Sequence, residues 1–268
     1  LDLPVSGFTL GTGFNSKLGF RVALIDSKAI KSYWSATRHP GPCLLFLAPL
    51  LLAYEIGVFK LGGSQPYMLR NGADTWTRAG LAALSIRHPA AAPILVAAAL
   101  GIWFWLRRDT TPEETPAVCL GMAVEAIGAA LGLWAVSRGF APLLGWLGVT
   151  VSTPPLLSTA AYGQVVTYIG AGVYEEIMFR VALFGGLCLL LRAIGIKPIM
   201  ATLSAAVVGA ILFAAAHHIG AHGEPVDTYN FLFRVLAGLY FTVIYQFRGF
   251  GVAVGAHTCY DVVVGIAM

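Results

Sequence analysis

Apolar stretches about twenty residues long recur along this chain, and that recurrence limits what it can become. A helix needs about 20 mostly apolar residues to cross the hydrocarbon core of a bilayer. Residues 42–59, 89–106, 117–136, 156–191, 198–217, 229–247 and 250–268 reach that length. Only 11% of the 268 residues are charged, against roughly 25% in soluble globular proteins. The mean hydropathy is +0.76. A water-soluble domain, a disordered chain and a coiled coil are all excluded on these grounds. The runs lack period-2 alternation, so they do not read as strands of a closed barrel. We expect an all-α polytopic transmembrane helical bundle of seven or eight spans with an intramembrane polar cavity.

Some segments fit that frame less simply. Residues 74–86 form a weaker eighth run, better read as a short amphipathic or interfacial helix. The run 156–191 is too long for one ordinary span. Residues 139–155, with Pro154 and Pro155, read as a re-entrant or surface connection. Residues 1–41 form an interfacial or flexible arm with no signal-peptide pattern, and 42–268 form the transmembrane domain. Gly128 with Gly132, and Gly251 with Gly255, are two GxxxG pairs that allow close helix approach.

Charge and cysteine usage narrow the partners. A net charge of +4 without a long basic run argues against nucleic acid. The basic residues sit mostly between apolar runs, which suits lipid headgroups. With seven spans and the N-terminus inside, Arg107, Arg108, Arg192, Lys197 and Arg248 fall inside, but Lys60, Arg70, Arg78 and Arg87 fall outside. The orientation stays open. Cys43, Cys119, Cys188 and Cys259 are scattered and lack CxxC spacing, so they read as reduced, packed thiols.

Ionisable groups inside apolar runs carry the functional signal. Each costs about 2.5–3.5 kcal/mol to insert and is a site candidate by default. Glu176 and Arg180 are spaced i, i+4 on one helix face and can pair. Glu175 is turned about 100° away and lacks that partner, which makes it the better general base and Glu176 the better structural ion. A buried salt-bridge knot is the bland alternative. The next run ends on Phe213-Ala-Ala-Ala-His217-His218. The last run contains His257 and Asp261, again i, i+4, and an acid beside an imidazole orients it. A carboxylate, two histidines and an aspartate from three runs supply what activation of a water and stabilisation of an oxyanion require. Glu55, Glu125 and Arg234 remain and read as structural. Glu55 is placed to reach the interface, and Arg234 is a candidate partner for Glu125. His222, Glu224 and Asp227 read as a solvated polar loop.

The pattern Glu175-Glu176-x-x-x-Arg180, then Phe213-x-x-x-His217, then His257-x-x-x-Asp261 resembles the CPBP family of intramembrane glutamate endopeptidases. That group includes type II CAAX prenyl endopeptidases and bacteriocin-processing or self-immunity proteins. The motifs cover about 90 residues, from 174 to 261. The resemblance implies that Glu175 and His217 activate the attacking water, that His257 and Asp261 form the oxyanion side, and that Glu176, Arg180 and Phe213 support them. It also implies no essential metal or other cofactor, a peptide or lipidated-peptide substrate, membrane lipid as the surroundings, and a prokaryotic cell membrane as the location. The family often carries Asn at the position of Asp261. An ionised aspartate cannot donate a hydrogen bond to an oxyanion, so Asp261 is expected to hold His257 cationic and correctly turned. The competing functions are a proton-coupled transporter, a metal-dependent protease using His217, His218 and His222, and a non-catalytic immunity or scaffold protein of the same fold.

Overall fold

A computed structural model describes residues 27–149, 162–220 and 223–267. Among these residues all regular structure is helical. The helices are α1 (Ser27–Ala36), α2 (Pro40–Gly62), α3 (Gly72–Ala83), α4 (Ala91–Arg107), α5 (Thr115–Trp146) and α6 (Tyr162–Glu176). A π-helical segment, Ile177–Phe184, joins α6 to α7 (Gly185–Ala193). Then follow α8 (Pro198–Ala216), α9 (Thr228–Arg248) and α10 (Phe250–Ala267).

Five of the described helices are long and apolar enough to cross a membrane: α2, α4 with its short extension to Thr110, α5, α8 and α9. Helix α10 is apolar and shorter by that measure, and α6, the π segment and α7 run as one rod from 162 to 193. The seven apolar runs in the sequence each correspond to one of these rods. The protein is a multi-pass integral membrane protein. Its outer face confirms the solvent: Phe59, Trp105, Leu189 and many other large apolar side chains point outward, which only lipid tolerates on this scale. The weak segment 74–86 is α3, twelve residues long and too short to span.

The stretch 139–155 departs from expectation. Residues 139–146 continue α5, which carries Pro142 inside its last turns. The missing N–H of a proline and its ring clash weaken a helix locally, but the apolar run on either side keeps α5 intact. Pro154 and Pro155 lie outside the described residues, as do residues 1–26 of the arm and His222. The described part of the arm is α1 and the link that follows it. Thr37 donates to the Arg248 carbonyl at 3.0 Å, and Arg38 Nε donates to the Phe247 carbonyl at 3.0 Å, which ties this link to the end of α9.

Helix α10 sits at the centre, and its residues 250–258 are all buried. Little hydrophobic force acts between helices in lipid, so close approach comes from small residues. A Cβ on Gly251 would strike Met122 of α5, and one on Gly255 would lie 2.8 Å from Ala126. Gly132 has only the Tyr240 hydroxyl near it and Gly128 has open space, so the second GxxxG pair does not mark a close helix contact. Closer to the polar centre, a Cβ on Gly172 of α6 would overlap Thr258 of α10, and one on Gly170 would overlap Tyr54 of α2. These two glycines draw α6 against both neighbours just ahead of Glu175. The four cysteines are free.

Three of the remaining charges have partners that sequence spacing did not reveal. Glu125 takes two hydrogen bonds from Arg248, one of them from Nη2 at 2.8 Å, and a third from the Tyr33 hydroxyl at 3.0 Å. Its partner is therefore Arg248, brought beside α5 by the packing of α9 and α10, and not Arg234. Burial and the Glu125 carboxylate push the Tyr33 phenol up to about 12, so it stays a donor. Glu55 does not reach for the interface. It meets Arg70 at 3.4 Å, Arg78 at 3.2 Å and the Tyr174 hydroxyl at 3.1 Å. Asp74, wholly buried, receives Arg70 at 2.6 Å, Arg78 at 2.7 Å and the Tyr54 hydroxyl at 2.8 Å. This network fastens α3 onto α2 and α6. Arg70 and Arg78 are thereby paired with acids of the protein itself.

Candidate active site

Helices α6, α8 and α10 deliver the singled-out residues to one place. Glu175 and Glu176 close α6, and the π-helical segment begins at the next residue. Such segments shift the hydrogen-bond register to i→i+5 and are frequent at functional sites. Here the wider turn still lets Glu176 reach Arg180, at 3.0 Å. Both are fully buried, with Arg180 lying over the ring of Phe213 at 4.6 Å and that of Phe241 at 5.5 Å. Aromatic faces stabilise a desolvated guanidinium.

Glu176 has a second partner. Its Oε1 lies 2.8 Å from Nδ1 of His257. The acid closest to His257 is thus Glu176, while Asp261 Oδ2 stands 3.6 Å from the other nitrogen, Nε2. At 3.6 Å Asp261 is beyond hydrogen-bond range, so the orienting contact expected of Asp261 is made by Glu176. The ring of His257 is further fixed by stacking on Phe241, with centroids 4.5 Å apart.

His217 follows α8 directly. Its Nδ1 is 2.8 Å from the Phe213 carbonyl, and the Phe213 ring packs edge-on against it. A carbonyl only accepts, so Nδ1 carries the proton and Nε2 of the neutral ring carries the lone pair. That Nε2 faces Glu175.

Glu175 stands between the two histidines without bonding directly to either. Its Oε2 stands 3.8 Å from His217 Nε2 and 3.8 Å from His257 Nε2. Both distances exceed a direct hydrogen bond. The same Oε2 is buried and has no hydrogen-bond partner among the described residues. Sequence spacing separated Glu175 from Glu176 by role, and the geometry separates them too: Glu176 holds Arg180 and His257 at its Oε1, while Glu175 has no contact as short as those.

A cavity of about 460 Å³ opens beside these groups, lined by Glu175, His217, His257 and Asp261 together with Arg234 of α9 and Asn71 ahead of α3. A smaller hollow of about 70 Å³ reaches the other side of Glu175, between Trp76 of α3, Phe179 and Ile219. Among the described residues no three His, Cys, Asp or Glu side chains are grouped so as to hold a metal ion. Asp227, from the polar loop, caps α9 by accepting from the Asn230 amide at 2.8 Å.

Residues 157–263 match the family model of type II CAAX prenyl endopeptidase Rce1-like proteins. The match spans α6 to α10 and contains all seven residues of the three motifs. No curated protein and no solved structure matches the chain. The Rce1-like segment does not enclose the cavity alone, since Asn71 and Gly72 come from outside it.

Sequence reasoning missed three features of the site. Phe241 is one aromatic among several on α9, and nothing in its spacing marks it as the platform for His257. The Glu176–His257 bond joins residues 81 apart, which helical periodicity cannot relate. Arg234 was visible as a charge in an apolar run, but its partner is Glu224, at 2.7 Å.

Proposed function

We propose that the protein is an intramembrane endopeptidase that hydrolyses a peptide bond near the end of a membrane-associated substrate, including prenylated CAAX-type peptides. The observation that carries this reading is Glu175 Oε2, buried, unbonded and 3.8 Å from each of two imidazole nitrogens. An unpaired carboxylate inside an apolar body is costly, and Glu55, Asp74 and Glu125 of this same molecule are each bonded to an arginine and a tyrosine.

The chemistry follows from the donor and acceptor state of each group. A water held between Glu175 and His217 donates one hydrogen bond to Glu175 Oε2 and one to the lone pair on His217 Nε2. Glu175 takes a proton as the water oxygen attacks the scissile carbonyl carbon. The carbonyl oxygen becomes an oxyanion and accepts a hydrogen bond from His257 Nε2–H. As the imidazolium, His257 donates at both nitrogens, with Glu176 accepting from Nδ1–H. A donor aimed at such an oxyanion contributes about 3 kcal/mol. The C–N bond then breaks, and Glu175 returns its proton to the leaving amine. Arg180 balances Glu176 and keeps it from competing for the proton. Asp261 adds negative potential on the Nε2 side of His257.

We read residues 42–268 as one transmembrane unit, because α2 and α3 buttress α6 through the Glu55–Asp74 network, with 1–41 as an arm. No step in this scheme uses a metal.

The test uses the purified full chain in detergent with a prenylated, fluorophore-quenched CAAX-type peptide. The reading predicts a single cleavage near the C-terminus, identified by product mass, that persists after exhaustive chelation. No cleavage, or cleavage lost on chelation and restored by one metal, overturns it.

A further inference from the structure

The arginines of this bundle divide into two kinds. Arg70 and Arg78 are each shared between Glu55 and Asp74, and Arg248 makes two bonds to Glu125. Arg234 differs in where its unmatched nitrogen lies: Nη1 of Arg248 and Nε and Nη1 of Arg180 are also buried without a hydrogen-bond partner among the described residues, but neither of those arginines lines the cavity that holds Glu175. Nη2 of Arg234 meets Glu224 at 2.7 Å, but its Nη1 is buried with no hydrogen-bond partner among the described residues. Its one partner lies on the α8–α9 loop and is half exposed, at 52%. A guanidinium within an apolar run that is only half matched, and that lines the cavity holding Glu175 and His257, is placed to receive an anion from outside the protein. A planar guanidinium receives a carboxylate in bidentate fashion.

A second donor points to the same ligand. Asn71, 6% exposed, lines the cavity from the start of α3. Its Oδ1 caps α3 by accepting from the Asp74 amide at 2.7 Å. Its Nδ2 is buried and bonded to nothing among the described residues. The cavity therefore offers two unused donor groups, one cationic and one neutral, beside a candidate hydrolytic centre. Its volume of about 460 Å³ lies within the range of ligand sites, roughly 300–1,000 Å³.

We infer that Arg234, assisted by Asn71, binds the free C-terminal carboxylate of the substrate peptide, so that the enzyme measures its cut from the end of the chain. This rests on the endopeptidase reading above and deepens it: the substrate class becomes peptides with an unblocked terminus inside the cavity. Glu224 occupies part of the guanidinium in the empty site and shares it when the substrate carboxylate arrives.

The experiment compares two prenylated, fluorophore-quenched CAAX-type peptides identical except for a free acid or an amide at the C-terminus. The full chain in detergent is expected to favour the acid about 10- to 100-fold in kcat/KM, the scale of a charge-assisted hydrogen bond. Arg234→Gln is expected to bring the acid-to-amide ratio towards one. Glu224→Gln, which releases the guanidinium, is expected to keep or raise that ratio. A salt bridge that merely pinned the loop to α9 would make both variants lose both peptides alike, and that result overturns the proposal. Equal cleavage of acid and amide by the unaltered protein also overturns it. Binding of the same peptides to Glu175→Gln separates the two readings. Tighter, Arg234-dependent binding of the acid without cleavage by the unaltered protein supports the carboxylate site and sinks the endopeptidase. Cleavage without acid preference does the reverse. Absence of both sinks both.

Discussion

Two polar clusters lie inside this apolar bundle, and they solve the cost of burial in opposite ways. Around α2, α3 and α6, Glu55 and Asp74 are bonded to two arginines and two tyrosines. Around α6, α8 and α10, Glu176 is bonded to Arg180 and His257, but Oε2 of Glu175 beside it has no hydrogen-bond partner among the described residues. Adjacent residues on one helix thus have opposite fates. Compensated charge holds helices together, and uncompensated charge is available for chemistry. The Arg248–Glu125–Tyr33 cluster belongs with the first kind.

The sharpest break in that comparison comes from His257. Replacing it by Ala removes the oxyanion donor and is expected to lower the cleavage rate about 10³-fold, measured by turnover of the quenched peptide. Next comes a purely structural change in the paired set. Arg248→Met leaves the partly buried Glu125 bonded only to Tyr33, and is expected to destabilise the fold by about 1–3 kcal/mol. The double variant Glu125→Gln/Arg248→Met should recover much of that loss in a denaturant titration. A smaller effect separates the two acids around His257. Glu176→Gln removes the negative charge from the 2.8 Å acceptor at Nδ1 and should cost about 10- to 100-fold in kcat, the range seen when a partner that orients a histidine is removed. Smallest is Asp261→Asn, expected to stay within a few-fold of the unaltered rate because Asp261 makes no direct bond to the ring. Equal losses in Glu176→Gln and Asp261→Asn would return the orienting role to Asp261.

Much of the fold was legible because bilayer thickness fixes helix length. Apolar runs of the right size mark the spans to within a few residues, and α3 betrays itself by being too short. The extension of α5 through Pro142 was hidden, since proline signals a break that the surrounding apolar residues override. The motif residues were visible because charge is so expensive in lipid that each one draws notice. Their partners were not visible. Glu125 finds Arg248, and Glu176 finds His257, across more than eighty residues, and only the packing of α5, α6, α9 and α10 supplies that information. Gly172 carried a trace of it: a glycine three residues before Glu175 is where α6 meets Thr258. In a chain with 31 glycines that trace is lost among the rest.

The central claim is that Glu175 is held for chemistry and not for structure. The direct measurement is peptide turnover and thermal stability of Glu175→Gln in the same detergent preparation. The account predicts turnover reduced at least about 10³-fold, as loss of a general base entails, with an unfolding temperature equal to or above that of the unaltered protein, since an unbonded buried carboxylate costs stability. Turnover within a few-fold of normal, or a collapse of the fold in place of a loss of activity, would contradict it.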